Sequence, residues 1–508
     1  MKKTLLYGLF SIIAVAILAS CSKDIGNYDY HEINQITFTD FQSATGYQAK
    51  SGEILTIDPK LDMTKDASPD PGNYSYEWSL RLGSSSAPPA RDSIISVDKA
   101  LNIKIGLVAG TYSLQYRVTD KKTGVEFQKR ATLTVTTDIY EGYLVLNEVN
   151  GQSRLDMLSY KATSNSFEQY TDVLKKVGST LPMQGQPYQV LCMQYTNANI
   201  AAQNYGIFVL TSAGTSRINQ ETFAYDQKSS IRYMFVGETP LNFAPQRIIG
   251  ELSLGIYPLL YLFDNNNIYN YSTLASFYAF KYSPLNSYSA SGTPFKLSPH
   301  IVTNGTAAVM YNLDKRNFVT AASYNSVALA DAAPTLNYPV GYDLIYMGKD
   351  YNNKAFAVMK DPATAKYWVM RFNIGSAQTS LQQVLIPDFE NAKNFVLNPD
   401  WGYLFYSIGG KVYEYDLALQ QSKLMVDKGS EIITYLDFQR FFKRLAKTNL
   451  NYPTWASLLT VASYDPAGTP GSNGTMELYT VPPVNGQLIK TSSWTGFGKI
   501  VSVSYRER

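Results

Sequence analysis

Leu259-Leu260-Tyr261-Leu262-Phe263-Asp264-Asn265-Asn266-Asn267-Ile268-Tyr269-Asn270-Tyr271 carries the pattern from which most of this 508-residue chain is built. An apolar run ends at a polar turn, and a second run rich in tyrosine follows. Asn-rich turns suit a β-hairpin, because Asn tolerates the positive φ that tight hairpin turns need. First runs of the same kind begin at Tyr143, Tyr205, Ala307, Ala355, Tyr403 and Leu458, with hairpin turns such as Asn150-Gly151 and Gly409-Gly410. Another strand precedes most of these hairpins, for example Arg247–Leu252 and residues 189–194, 394–397 and 432–437. Four short strands repeating about every 50 residues predict a β-propeller with kelch-like spacing. Seven units predict seven blades, and six or eight are also compatible with the pattern. The last stretch, residues 499–505, is a strand with no hairpin after it. It is expected to pair as the innermost strand of the first blade, removing a free sheet edge.

Residues 33–137 alternate with the period of half-buried strands and predict about seven strands, the count of an immunoglobulin-like sandwich. No Pro/Gly linker separates this region from residues 138–508, the expected propeller. Tyr76-Glu77-Trp78 and Gly110-Thr111-Tyr112-Ser113-Leu114 through Val118-Thr119-Asp120 resemble the pattern of PKD-like (polycystic kidney disease) domains. The resemblance implies that Trp78 and Tyr112 are core residues and that Asp120 opens a hairpin. Asp66, Ser68, Asp70 and Glu77 have a spacing similar to a calcium loop, but Pro71 stands where the glycine is needed. A proline-stiffened loop is the expectation.

The N-terminus reads differently. Lys2 and Lys3 precede an apolar run from Leu5 to Leu18, then Ala19-Ser20-Cys21. The run is roughly 14 residues and a membrane span needs about 20, so residues 1–20 read as a signal peptide. Leu18-Ala19-Ser20-Cys21 resembles the lipobox of bacterial lipoproteins, which implies lipidation at Cys21. Residues 21–32 are polar and read as a flexible tether. Asp24 close behind the cysteine is similar to the export signal of Bacteroidetes surface lipoproteins.

Composition limits the chemistry. The formal charge of +3 falls to +1 once Lys2 and Lys3 are removed, which argues against a nucleic-acid partner. Two histidines, His31 and His300, make a Ser-His-Asp triad or a multi-histidine metal site implausible. Cys192 lies in an apolar run and is expected to be a buried packing residue. No hydrolase, kinase, nucleotide-binding or zinc motif occurs in the right context, so no catalytic residue, metal or cofactor is assigned. Forty tyrosines suit half-buried strands. Phe438, Phe441, Phe442 and Leu445 fall at helical spacing between basic residues and predict a short amphipathic helix over 438–447.

The expected strand order gathers hairpin turns and inter-blade loops on one face, at the mouth of a central channel. Asp264, Asn265, Tyr288, Tyr311, Tyr464, Asp465 and Trp494 are the candidate ligand-binding residues there. Aromatic faces stack on sugars or peptides while amides and carboxylates fix orientation. The turn 465–474, DPAGTPGSNG, is the longest of these and a further candidate contact.

Gly26-Asn27-Tyr28-Asp29-Tyr30, Glu141-Gly142-Tyr143-Leu144-Val145-Leu146 and Gly496-Phe497-Gly498-Lys499-Ile500 complete a resemblance to PKD-like lipoproteins of Bacteroidetes. It implies a lipid-anchored protein of the outer membrane, exposed at the cell surface. The implied role is binding of glycan or peptide nutrients as an accessory to a SusC/SusD-type importer. Two other classes fit the residues: a structural or adhesive lipoprotein that binds another protein, and a carboxylate-dependent glycan-cleaving enzyme.

Overall fold

The computed structural model describes residues 32–82, 91–194, 205–237, 243–252, 258–272, 279–281, 284–321, 326–336, 341–442 and 449–508. The signal segment, Cys21 and all but the last residue of the tether lie outside these. The chain divides into two compact units, Met1–Thr136 and Thr137–Arg508. Among the described residues no helix is long and apolar enough to cross a membrane.

The first unit is all-β. Tyr47–Lys50, Glu126–Thr136, Gly110–Asp120, Tyr74–Leu82 and Arg91–Ser96 form one sheet in that order. Ile36–Phe38 pairs with Leu61–Met63, and Ile54–Ile57 with Leu101–Lys104. Alternation sends Leu114, Tyr116 and Val118 inward to Trp78, and Trp78 and Tyr116 are both fully buried. Their rings stack with centroids 4.2 Å apart. The indole Nε1–H donates to the Asp98 carbonyl at 3.0 Å, so the only polar atom of this large side chain is satisfied.

Tyr112, expected in the core, packs against it while half-buried, and its hydroxyl turns back to the Val108 carbonyl at 2.9 Å. Tyr116, on the same face four residues on, is the fully buried tyrosine of the strand. Asp120 does open the hairpin, accepting from Lys122 N–H at 2.9 Å. In the acidic loop, Asp70 caps the short 3₁₀ turn Pro71–Asn73 and Asp66 accepts from the Tyr74 hydroxyl.

The described residues of the second unit form seven sheets that follow one another along the chain. Their leading strands are Lys499–Arg506 in the first sheet, then Pro187–Gln194, Arg247–Leu252, Val302–Thr303, Asp343–Lys349, Lys393–Leu397 and Ile432–Phe438. Within each sheet the leading strand pairs antiparallel with the second, and the second pairs with the third through a hairpin whose turn can hold positive φ. Asn150 and Gly151 have φ of 51° and 76°, and Asn265 and Asn266 have 48° and 65°.

The C-terminal strand Lys499–Arg506 pairs antiparallel with Gly142–Val149, joining the two ends of the unit in one sheet. Glu141 fixes this junction: its carboxylate accepts from the hydroxyls of Tyr505 at 2.9 Å and Tyr452 at 2.8 Å. Gly142 beside it has φ of 142°, and a Cβ there would lie 1.9 Å from the Leu158 carbonyl oxygen, so no larger residue fits.

Apolar residues sit between sheets. Sheets one and two enclose a cluster around Leu144, Leu155, Val190 and Ile207, and comparable clusters separate each later pair. A seventh cluster, with Tyr143, Phe441, Tyr452, Met476 and Tyr505, lies between the seventh sheet and the first. Each sheet therefore has both faces covered. Cys192 is buried between sheets one and two, and burial pushes its thiol up to about 12, which keeps it protonated and inert.

The helix expected over 438–447 is not present in its described part. Phe438 ends a strand and residues 439–442 are irregular; residues 443–448, with Leu445, are outside the described residues. The three phenylalanines instead join three different clusters: Phe438 between sheets six and seven, Phe441 between seven and one, and Phe442 between two and three. The short helix of this region is Asn451–Ala456.

Candidate functional site

Where the leading strands come together they wall a cavity of about 580 Å³, and all seven contribute to it or to its immediate rim. Hydrogen bonds between neighbouring leading strands hold the wall. Ser502 and Ser504 hydroxyls accept from Val190 and Cys192 N–H at 3.2 and 2.8 Å. The Gln189 amide pairs with both backbone groups of Ile248, at 2.7 and 3.1 Å. Leu397 N–H donates to the Tyr346 hydroxyl at 3.1 Å, and Asn394 donates to the Ile433 carbonyl at 3.0 Å. The Tyr435 hydroxyl lies 3.1 Å from the Val503 carbonyl, where the seventh sheet meets the first. The ring of His300 meets that of Tyr346 edge to face at 5.6 Å.

The interior is polar and charged. Arg247, at the start of the third leading strand, lines the cavity with its side chain exposed to that space, although protein surrounds it. Enclosure and the charge of Arg440 both lower its pKa from the usual guanidinium value, and Asp437 pulls in the other direction. It stays ionised, as arginine does in proteins.

Arg440 crosses from the seventh sheet to donate to the Gly250 carbonyl of the third at 3.0 Å. Asp437 accepts from the Tyr435 hydroxyl at 2.7 Å; burial raises its pKa, while that hydrogen bond and the two arginines oppose the rise. His300 is held down to about 3, first by burial and then by the charge of Arg247, so it is a neutral imidazole at physiological pH. At the rim, Lys349 donates to Asn353 at 3.0 Å, and Asp350 accepts from Asn352 and Lys354 N–H at 2.8 and 2.9 Å. No group of three or more His, Cys, Asp or Glu among the described residues could hold a metal ion.

The seven ligand candidates of the sequence are distributed over several sheets, and none lines this cavity. Asp264 and Asn265 are the nearest to it through their contacts. Asn265 N–H donates to the side chain of Gln246, a wall residue, at 2.9 Å, and Asp264 accepts from Ala244 N–H at 3.4 Å. Tyr311 is 1% exposed and its hydroxyl donates to the Tyr342 carbonyl; it is a core residue between sheets four and five. Tyr288 packs on Phe295 at 4.6 Å and accepts from Asn312 at 2.9 Å, under the ammonium of Lys315. Trp494 lies against Phe167 at 5.7 Å. Tyr464 carries the Lys499 ammonium over its ring at 5.6 Å. Asp465 orders its own loop, accepting from Ala467 N–H at 2.9 Å, and Arg154 docks that loop on the first sheet through the Gly471 carbonyl at 2.8 Å.

Sequence reasoning passed over Arg247, Asp437 and Arg440. The available signal was a charged residue inside or beside an otherwise apolar leading strand, as in Arg247-Ile248-Ile249 and Leu436-Asp437-Phe438.

Residues 21–187 match the model of the PKD-like family. No curated protein matches the chain. Among solved structures, a quinonprotein alcohol dehydrogenase-like protein from Bacteroides thetaiotaomicron is similar over 94% of this chain and 97% of its own, at 10% identity and a TM-score of 0.41. An auxiliary nutrient binding protein from Bacteroides ovatus is similar over 90% of this chain and 88% of its own, at 8% identity and a TM-score of 0.29. The WD40 domain of SCAP from fission yeast covers 69% of this chain and 90% of its own, at 11% identity and a TM-score of 0.33. At these levels no site residue and no ligand carries over.

Proposed function

We propose that this chain is a lipid-anchored protein of the outer membrane, held at the cell surface through Cys21. In this reading it binds glycan or peptide nutrients as an accessory to a SusC/SusD-type importer. The second unit is then a seven-bladed β-propeller closed by its C-terminal strand, with the ligand in the central cavity.

One observation carries the binding role: the leading strands of seven sheets converge on one polar cavity. Its volume of about 580 Å³ falls within the usual range for small-molecule sites. Tyr346, Tyr435 and Phe395 supply aromatic surface beside Gln189, Gln246 and Asn304, the mixture that holds sugars and short peptides. Asp264 and Asn265 contribute by bracing Gln246. Binding is favoured over hydrolysis by the carboxylates of the described wall. Asp350 holds its own turn and Asp437 accepts the Tyr435 hydroxyl, so both serve contacts within the protein.

The test is to isolate the tagged protein from its native outer membrane in mild detergent and identify what accompanies it. A SusC/SusD-like pair is the expected result, and its loss of membrane association on Cys21→Ala would place the anchor. Recovery of the protein alone would contradict the accessory role.

A further inference from the structure

One charged side chain on the cavity wall is unengaged. The Arg247 guanidinium forms no hydrogen bond or ion pair with the described residues, and it is open to the enclosed space. Arg440 brings a second guanidinium within electrostatic reach of it, and Asp437 is the acidic group that acts on both. That carboxylate already accepts the Tyr435 hydroxyl. Asp437 acts on Arg247 without a hydrogen bond to it, so the positive charge of Arg247 keeps unfilled donors. His300, being neutral, neither adds to this charge nor offsets it. The rim pair does not offset it either, since Lys349 and Asp350 are of opposite sign.

A guanidinium presents a planar fork of N–H donors that matches a carboxylate in a bidentate pair. In an enclosed site poorly screened by solvent, such a pair is stronger than on an open surface. Neutral sugars and uncharged peptide segments can accept from these N–H groups but would leave the Arg247 charge without a counter-charge.

We infer that the cavity takes a ligand bearing a carboxylate, which seats on Arg247 with Arg440 beside it. This rests on the proposed binding role of the same cavity and deepens it by naming the chemical class. A uronic-acid sugar and the C-terminus of a short peptide share this chemistry, and both fit a cavity of about 580 Å³. Asp437 and Tyr435 then face the remainder of the ligand, where hydroxyl or amine donors find an acceptor.

The experiment is calorimetric titration of the mature chain with four probes: digalacturonic acid, its dimethyl ester, trialanine and trialanine amide. At least one acid should bind about tenfold or more tightly than its neutral counterpart, as expected for a charge-assisted pair. The acid that does so identifies the source as sugar or peptide. Arg247→Gln should bring that acid down to the level of its neutral form while leaving the melting temperature unchanged, and Arg247→Lys should keep part of the preference. Equal binding of acid and neutral probes would overturn the carboxylate inference and leave the binding role standing. So would an acid preference that survives Arg247→Gln. Failure of all four probes to bind would overturn the carboxylate inference. The binding role itself would fall only if a wider panel of neutral glycans and peptides also gave nothing.

Discussion

The first unit fills its centre, and the second hollows it. In the first, Trp78, Tyr116, Leu114 and Leu133 form one apolar core between sheets, and the largest side chain of the unit sits fully buried within it. In the second, the apolar residues are divided among seven clusters, each lying between two sheets. The middle, where the leading strands meet, carries arginines, tyrosines and an aspartate. Apolar burial stabilises both units, but only the second has its covering clusters at the sides, which frees the central wall for polar groups. That is where a binding function can be placed without weakening the core.

The strongest way to break this contrast is to remove the strand that joins the ends of the second unit. Deletion of residues 499–508 would strip the Gly142–Val149 strand of one of its two partners and open the cluster around Tyr143 and Tyr452. The expected outcome is loss of the cooperative melting transition of that unit, read by circular dichroism, with association of the truncated chain on size exclusion. A truncated chain that melts as before would show that the strand contributes little.

Trp78→Ala tests the filled centre. Emptying a fully buried aromatic site costs about 3–5 kcal/mol, seen as a lower denaturant midpoint for the first unit's transition. The second unit's transition should stay in place.

Glu414 sharpens the comparison from inside the second unit, because it is a buried carboxyl away from the cavity. It lies in strand Lys411–Asp416 at 1% exposure, with Oε2 lacking a partner among the described residues. Burial pushes it up to about 7 from 4.5, opposed by Lys423 across the strand pair. Its folded-state pKa is raised, so the folded form holds the proton more tightly than the unfolded chain does. The stability this gives is present below pH 4.5 and is lost as pH rises through 7. Glu414→Gln removes the loss. Relative to the parent, the variant should gain about 3 kcal/mol between pH 4.5 and pH 8, measured by urea denaturation across pH.

Tyr311→Phe is expected to have the smallest effect. Its hydroxyl serves one backbone carbonyl, so its removal should cost about 1 kcal/mol of stability. Ligand binding should not change, since the ring lies in the core between sheets four and five.

Much of the architecture was legible because its signals are local. Asn150-Gly151 and Asn265-Asn266 marked hairpins by turn chemistry, and the lone strand at the C-terminus pointed to a partner at Tyr143. Face was legible where depth was not. Tyr112 and Tyr116 lie two alternation periods apart on one face, and only the packing against Trp78 shows that Tyr116 is the more deeply buried. The phenylalanines at 438, 441 and 442 had helical spacing by chance, because an irregular segment passing three sheet junctions must supply an apolar residue to each. The cavity was not legible. Its wall takes a few residues from each of seven strands, and Arg247 and Arg440 meet only because the third and seventh sheets face a common centre. The seven candidates taken from turns and aromatics do not line the cavity.

That the ligand lies among the seven leading strands can be checked by locating it in crystals of the mature chain grown with whichever glycan or peptide binds most tightly. The expected result is density within the cavity, in hydrogen-bonding contact with the Arg247 guanidinium and beside Tyr346 and Tyr435. Density seated at the Tyr464–Asp465 turn or on the first unit, with the cavity holding only solvent, would contradict it.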